Sequence, residues 1–248
     1  MTDFFRRLYR ITAIILWSAV IAILSIPGQL TGGWAGTREL SRYAQLWARG
    51  IAKIINLRVK ISGGIPSGGG GLVVSNHTGY LDIITHGSVL PLRYTPKTEI
   101  AGWPVLGWYL ALSRPIWVDR VSKQGSKKIM EDYTETMKNG MFLIVYPEGT
   151  STDGRGGILP FKAASFEAAI AADAPVFPVI TRYKELPGFP TVCWYGSMSL
   201  LPHVWQVLKL PSIDAELNFL PHVLPSGNPR KELASLVHDT MAGEYSRY

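Results

Sequence analysis

The sequence predicts an α/β fold, a mixed sheet flanked by helices, preceded by an N-terminal two-helix membrane-anchoring segment. Three observations predict it. After Asn56, short β-rich runs alternate with helical stretches, the pattern of a sheet covered by helices. Before Asn56 lie an uncharged apolar run and then a basic amphipathic stretch. The composition, 47% hydrophobic against 17% charged, is greasier than an average soluble enzyme yet far below a multi-span membrane protein. A chain of this length holds one large domain with a small appendage, and the change of texture divides it into residues 1–56 and 57–248.

The apolar run extends from Ile11 to Ile26 without a charge. As a helix it reaches about 24 Å, short of the roughly 30 Å hydrocarbon core. It spans only if Leu8 and Tyr9 join it and Arg10 snorkels; a monotopic anchor fits equally well. Arg6, Arg7 and Arg10 would hold this end on the cytoplasmic side of the cell inner membrane. A signal peptide shares these features, but no good small-x-small site follows Ile26, and "PGQLTGGWAG" reads as a turn. Next, "RELSRYAQLWARGIAKIINL" sets Leu40, Ala44, Trp47, Ile51 and Ile55 at helical spacing. Two readings stay open for that basic amphipathic helix: packing on a core, or lying in the membrane interface.

Beyond Asn56, "LRVKIS" and "GLVVS" read as strands, separated by the flexible "SGGIPSGGGG", which lacks the GK[ST] of a phosphate loop. "LDIITHGSVL" reads as a helix, "PIWVD" as a strand, and "SKKIMEDYTETMKNG" as a helix stopped by Gly140. "MFLIVYPEG" is a buried strand and "FKAASFEAAIAAD" a helix. "PVFPVITRY", "TVCWYG" and "DAELNF" follow as strands, and Pro229 opens the closing helix "PRKELASLVHDTMAGEY".

Charge and cysteine content narrow the chemistry. Lysine and arginine total 25 against 18 acidic residues, a formal charge of +7, which suits a nucleic acid, an anionic lipid surface or a phosphorylated substrate. The basic residues are spread along the chain, and Trp103 and Trp108 sit in apolar contexts that suit a core or an acyl groove, so no nucleic-acid partner is expected. Cys193 is the single cysteine; it excludes an intrachain disulfide and reads as a small buried apolar residue.

"SNHTGYLD" places His77 and Asp82 between a strand and a helix, where catalytic groups collect in α/β folds. In a continuous helix the two side chains would lie about 140° apart. A turn at Thr78-Gly79 would let Asp82 reach one imidazole nitrogen, fix the tautomer and leave the other nitrogen for a substrate proton. With His86 the same residues make H-x4-D-x3-H, a possible three-ligand metal site and hence a metal-dependent hydrolase. A non-enzymatic membrane-binding protein would need only the anchor and the charge.

Further blocks follow in a recognisable order. "NHTGYLD", "KTEIAGWPVLGW" with "PIWVDR", "VYPEGTSTDG" and "VFPV" together resemble the lysophospholipid and 1-acylglycerol-3-phosphate acyltransferases, the H-x4-D glycerolipid acyltransferases, over residues 70 to 182. The resemblance implies that His77, oriented by Asp82, deprotonates a lysophospholipid hydroxyl. That hydroxyl attacks the thioester of acyl-CoA or acyl-carrier protein, with no cofactor, no metal and no acyl-enzyme. The expected product is phosphatidic acid, made from 1-acyl-sn-glycerol-3-phosphate. It also implies that Lys97, Arg120, Glu148, Gly149 and Thr150 surround the acceptor head group; for Glu148, an organising role in the Gly149-Thr150 turn is the alternative. Independently, the sequence holds no G-x-S-x-G elbow. Many phosphatidic-acid-forming members carry arginine after "EGT", where this chain has Ser151. The phosphate grip would then pass to Arg155 or Lys162, or the acceptor would be another lysolipid, such as lyso-ornithine lipid or lysophosphatidylcholine. An acceptor and a product that are both lipids require the site to open towards a membrane surface, and the basic amphipathic helix would attract anionic lipid head groups there.

Overall fold

The parallel centre of the sheet is built from strands that have no polar face. The computed structural model describes residues 2–103, 106–118, 123–225 and 227–247. Helices α1 (Asp3–Leu24), α2 (Ile26–Leu30) and α3 (Gly33–Ile55) come first. They lead to β1 (Leu57–Gly63), β2 (Gly71–Ser75), α4 (Leu81–Val89), β3 (Leu92–Arg93) and a 3-10 turn at Thr98–Gly102. The chain continues through α5 (Leu106–Leu112), α6 (Lys123–Lys138), β4 (Phe142–Val145), α7 (Ala164–Ala171) and β5 (Val176–Tyr183). It closes with α8 (Leu200–Val207), β6 (Ile213–Phe219) and α9 (Arg230–Tyr245).

The strands form one mixed sheet in the order β1-β6-β5-β2-β4-β3. Only β5 and β6 run antiparallel; β2 is parallel to both β4 and β5. Every residue of β2 and β4 is buried, as expected for parallel strands covered on both faces. The two-residue period sends Leu72, Val74, Leu143 and Val145 into a core with Phe166 and Val237, beneath α6, α7 and α9. Val73, Phe142 and Ile144 point to the other face, towards Ala44 of α3. Parallel strands gather their carboxyl ends on one edge, and Ser75, Val145 and Tyr183 end β2, β4 and β5 there.

Two expected strands are not strands. Residues of "PIWVD" form one isolated bridge, Lys97 to Val118; Pro115 has no N–H to give, and the neighbouring β3 has only two residues. "TVCWYG" is a loop, because β5 is already flanked by β6 and β2. Its amides bond elsewhere, that of Trp194 to the carbonyl of Thr78 at 2.8 Å.

The apolar helix is longer than its uncharged run. α1 starts at Asp3 and has 22 residues, about 33 Å at 1.5 Å per residue; by length and hydropathy it could cross a membrane. It takes in the three arginines, which bind protein carbonyls. Arg10, 4% exposed, donates to Ile54 at 3.1 Å and to Leu208 and Leu210 at 3.1 and 2.5 Å, satisfying carbonyls at the ends of α3 and α8. Arg7 donates to Trp205 O and lies over its ring, and Arg6 donates to Lys209 O. Farther along, Trp17 donates to Trp47 O and Trp47 to Ser18. One face of α1 is therefore bound to α3 and α8, while Phe4, Phe5, Leu8, Ile15, Leu16 and Ile23 on the remaining surface are exposed. α3 itself packs on the core: Leu40, Ala44, Ala48, Ile51 and Ile55 are buried.

Candidate active site

The turn between β2 and α4 brings His77 and Asp82 together. Gly79 has φ of 147°, and a Cβ there would meet the Trp194 amide at 2.8 Å, so both the backbone and the space favour glycine. The Asp82 amide closes the turn on Gly79 O at 3.2 Å. Asp82, at the start of α4, is 0% exposed. Its Oδ2 accepts from His77 Nδ1 at 2.8 Å and from the amides of Thr78 and Gly79 at 2.7 and 3.1 Å. Its Oδ1 accepts from the hydroxyls of Thr78 and Tyr183 at 2.7 and 3.0 Å. Burial alone would raise this carboxyl, but the His77 hydrogen bond, the charges of His77 and His86 and the Thr78 amide hold it below its ordinary value.

An ionised Asp82 can only accept, so His77 Nδ1 carries the proton and Nε2 of the neutral ring has a lone pair. The side chain of His77 is 25% exposed and its ring stacks on Tyr146 at 4.2 Å. Two backbone contacts clamp the residue: its amide donates to Glu148 Oε1 at 2.7 Å, and its carbonyl accepts from the Thr152 amide at 2.9 Å.

Glu148 bridges two backbone segments. Its second oxygen accepts from the Leu159 amide at 3.0 Å, and the residue is 6% exposed. Both oxygens face main-chain donors, so Glu148 ties the His77 backbone to the third block. Burial pushes its carboxyl up, opposed by those two amide bonds. Gly149 has φ of 75°, and the Lys162 side chain crosses it so closely that a Cβ would meet Nζ at 2.4 Å. Thr150 and Lys97 are exposed at the rim, and Ser151 is half-buried. Arg120 lies outside the described residues. Arg155 is bound in an ion pair with Glu185 at 2.9 Å.

His86 does not join a metal triad with His77 and Asp82. Its Nδ1 lies 2.7 Å from the Asp82 carbonyl and its Nε2 2.9 Å from Thr181 Oγ1. A carbonyl accepts only, so Nδ1–H donates to it and Nε2 accepts from the Thr181 hydroxyl. Burial lowers its pKa, opposed by the Asp82 charge and carbonyl. Among the described residues no group of His, Cys, Asp and Glu is arranged to hold a metal ion. Cys193 is buried, and that burial raises its thiol pKa, the reverse of an activated nucleophile.

Tyr146 and Tyr183 escaped the sequence reading. Tyr146 directly follows the buried strand β4 and Tyr183 is the last residue of β5; a tyrosine at the carboxyl end of a central strand is the available signal. Burial, with the Asp82 charge, raises both phenols well above their ordinary value, so both stay neutral; Tyr183 donates to Asp82 and Tyr146 stacks on His77.

A family model described as Acyltransferase matches residues 56–182. The lyso-ornithine lipid O-acyltransferase of Brucella abortus (strain 2308) is 29% identical over 245 residues, covering 91% of this chain and 90% of that protein. The 1-acyl-sn-glycerol-3-phosphate acyltransferase of Neisseria gonorrhoeae is 30% identical, covering 88% of this chain and 84% of that protein. The crystal structure of the 1-acyl-sn-glycerophosphate (LPA) acyltransferase PlsC from Thermotoga maritima superposes with a TM-score of 0.70 over 99% of this chain and 95% of that one, at 19% identity; it shows a shared fold.

Proposed function

Since this chain belongs to the acyltransferase family, we propose that it moves a fatty acyl group from a thioester, acyl-CoA or acyl-carrier protein, directly to the free hydroxyl of a lysolipid. The observation that carries this reading is the His77–Asp82 pair at 2.8 Å, with Nδ1–H held by the carboxylate and Nε2 left basic. Nε2 takes the proton of the acceptor hydroxyl as its oxygen attacks the thioester carbonyl. The C–O bond forms, the C–S bond breaks, and the departing thiolate takes the proton from the imidazolium. Asp82 stabilises that cation and keeps the ring oriented, while acid–base catalysis and proximity supply the rate.

Two acceptors suit the residues around Gly149. One is 1-acyl-sn-glycerol-3-phosphate, giving phosphatidic acid; the other is a lyso-ornithine lipid, whose head group carries one carboxylate and one ammonium. Ser151 favours the second, because a phosphate dianion is best matched by a guanidinium fork. The cation at hand, Lys162, is a single point charge lying across the Gly149 turn. Lys97 on the rim adds a second charge, and Arg120 keeps the acceptor role that the resemblance implies for it.

The exposed apolar surface of α1 supports a monotopic attachment: a helix bound along one side to α3 and α8 lies in the interface instead of crossing it. Arg6, Arg7 and Arg10 are consumed in that packing, so they no longer argue for a transmembrane orientation. Direct use of acyl-CoA or acyl-carrier protein argues for the cytoplasmic face of the inner membrane, with anionic lipid attracted by the net positive charge.

The deciding assay offers purified protein labelled acyl-CoA and acyl-carrier protein with a panel of lysolipids. Transfer by the wild type and its loss in His77→Ala is the expected result. Transfer to lysophosphatidic acid but not to lyso-ornithine lipid would overturn the preference drawn from Ser151, and no transfer to any acceptor by folded protein would overturn the function.

A further inference from the structure

Direct transfer requires donor and acceptor to be bound together, meeting at His77 from different sides. The acceptor elements Lys97, Gly149 and Lys162 follow β3 and β4, on one side of β2 in the sheet. Towards β5, between its carboxyl end and residues 153–158 of the loop that also carries Gly149 and Lys162, lies a cavity of about 800 Å³. Its walls are residues 153–158, the strand end 181–186, the loop 189–193 with Tyr195, and the end of α9 at Ala242, Tyr245 and Ser246. Thr78, the residue after His77, forms part of its inner wall together with Tyr183; both donate to Asp82.

The two loops that wall this cavity are fastened to the catalytic turn. The Thr152 amide donates to His77 O at 2.9 Å and the Trp194 amide to Thr78 O at 2.8 Å. The space between them, called the corridor below, is lined by Thr78, the neighbour of His77. Two of its cations are engaged within the wall. Arg155 pairs with Glu185 at 2.9 Å, and Arg182 lies over the Tyr245 ring at 3.9 Å and donates to Tyr245 O. A polar wall whose carboxylates, Asp153 and Glu185, nearly balance Arg155, Arg182 and Lys184 suits a long uncharged chain rich in amides and hydroxyls better than a multiply charged head group. Lys184, exposed on the same wall, is available to a phosphate at the outer end of such a chain.

We propose that this corridor takes the phosphopantetheine arm of the acyl donor, the chemistry common to coenzyme A and carrier protein, and delivers the thioester to His77 from the β5 side. The proposal rests on the direct-transfer reading. In the step itself the arm leaves as its thiol, holding the proton that His77 took from the acceptor hydroxyl.

Cys193 lines the corridor and is the only cysteine of the chain, so it reports on occupancy without turnover. Alkylation of Cys193 by iodoacetamide at alkaline pH is followed by mass spectrometry. The additions are S-hexadecyl-pantetheine phosphate, S-hexadecyl-CoA, S-hexadecyl-carrier protein, or a lysolipid acceptor. The thioethers cannot transfer. The expected result is at least tenfold slower alkylation with S-hexadecyl-pantetheine phosphate and no protection by the lysolipid; whichever of the CoA and carrier-protein forms protects at the lower concentration identifies the donor. Protection by the lysolipid alone, or by none of these, overturns the proposal. In steady-state kinetics Ala242→Trp, which narrows the corridor from α9, is expected to raise the donor KM about tenfold and leave the acceptor KM unchanged; the opposite split overturns it. If the protein transfers no acyl group at all, the alkylation result still decides what the corridor binds, so the two failures are told apart.

Discussion

His77 and His86 both bond to Asp82 and both lie against Tyr146, yet the structure equips them for different work. His77 bonds to the Asp82 carboxylate with one nitrogen, sits on a glycine-dependent turn and is part-exposed. His86, on the same helix as Asp82, bonds to that residue's carbonyl and gives its second nitrogen to Thr181, at 2% exposure. The side chain is the same; what differs is whether a nitrogen remains available and whether a substrate can reach it. Histidine content near a carboxylate therefore says little until each ring nitrogen is accounted for.

The largest expected effect breaks the comparison at its active member. His77→Ala should lower acyl transfer on the order of a hundred- to ten-thousand-fold, the usual worth of a positioned base, with the melting temperature little changed. Asp82→Asn should lose a similar factor, because an amide can donate to Nδ1 and strand the proton on Nε2. Retention of more than a tenth of wild-type kcat in either variant would remove the dyad from the mechanism. His86→Ala should show the reverse profile. It removes the imidazole that bonds the Asp82 carbonyl and the Thr181 hydroxyl, the latter keeping Ser75 Oγ at 2.9 Å, and opens a cavity, together costing about 2–4 kcal/mol of stability. Its kcat, measured on folded protein at low temperature, should stay within about tenfold of wild type.

Much of this was legible in the sequence, for physical reasons that vary by element. β2 and β4 are short, apolar apart from Ser75 and bounded by glycine or a turn, so they were readable without partners. The His77–Asp82 pairing was readable as a geometric need for a turn, and Gly79 is where the structure makes it. "TVCWYG" misled because its β-branched and aromatic residues serve a loop over Thr78, with no free sheet edge to join. β3 and α8 were missed: a two-residue strand carries no periodicity, and Pro202 interrupts the helical reading of Leu200–Val207. The inward arginines of α1 could not be foreseen either, since their acceptors are carbonyls almost 200 residues away and only the folded chain brings them near.

A smaller change tests the carboxylate that the two histidines share. Tyr183→Phe removes one donor from Asp82 Oδ1 and leaves the Asp82 carbonyl, and hence His86, untouched. A lost buried hydrogen bond of this kind is worth about 1 kcal/mol, so kcat should fall by about tenfold or less with the acceptor KM unchanged. An equal fall in Tyr183→Phe and a variant of the exposed surface would show that Asp82 does not depend on this support.

The smallest effect reads the inactive histidine alone, through pH. Burial lowers the pKa of His86 from 6.5, and the Asp82 charge only partly opposes that. Folded protein therefore resists a proton that the unfolded chain accepts. Stability from this residue is fully present above pH 6.5 and is lost as pH falls towards the folded value. Between pH 7 and pH 6 the loss amounts to at most about 0.7 kcal/mol, since a full proton per molecule changes stability by about 1.4 kcal/mol per pH unit. Asp82, whose carboxyl is held low, and Glu148, whose carboxyl is raised, act with opposite signs nearer the ordinary carboxylate range and contribute little to this interval. Burial lowers His203 as well and adds a loss of the same sign, so chemical denaturation at the two pH values should show a smaller loss in His86→Gln, which keeps hydrogen-bonding capacity without a titrating ring, than in the wild type. Persistence of the full loss in His86→Gln would assign it to another group, and a wild type equally stable at both values would mean that His86 is as easily protonated folded as unfolded.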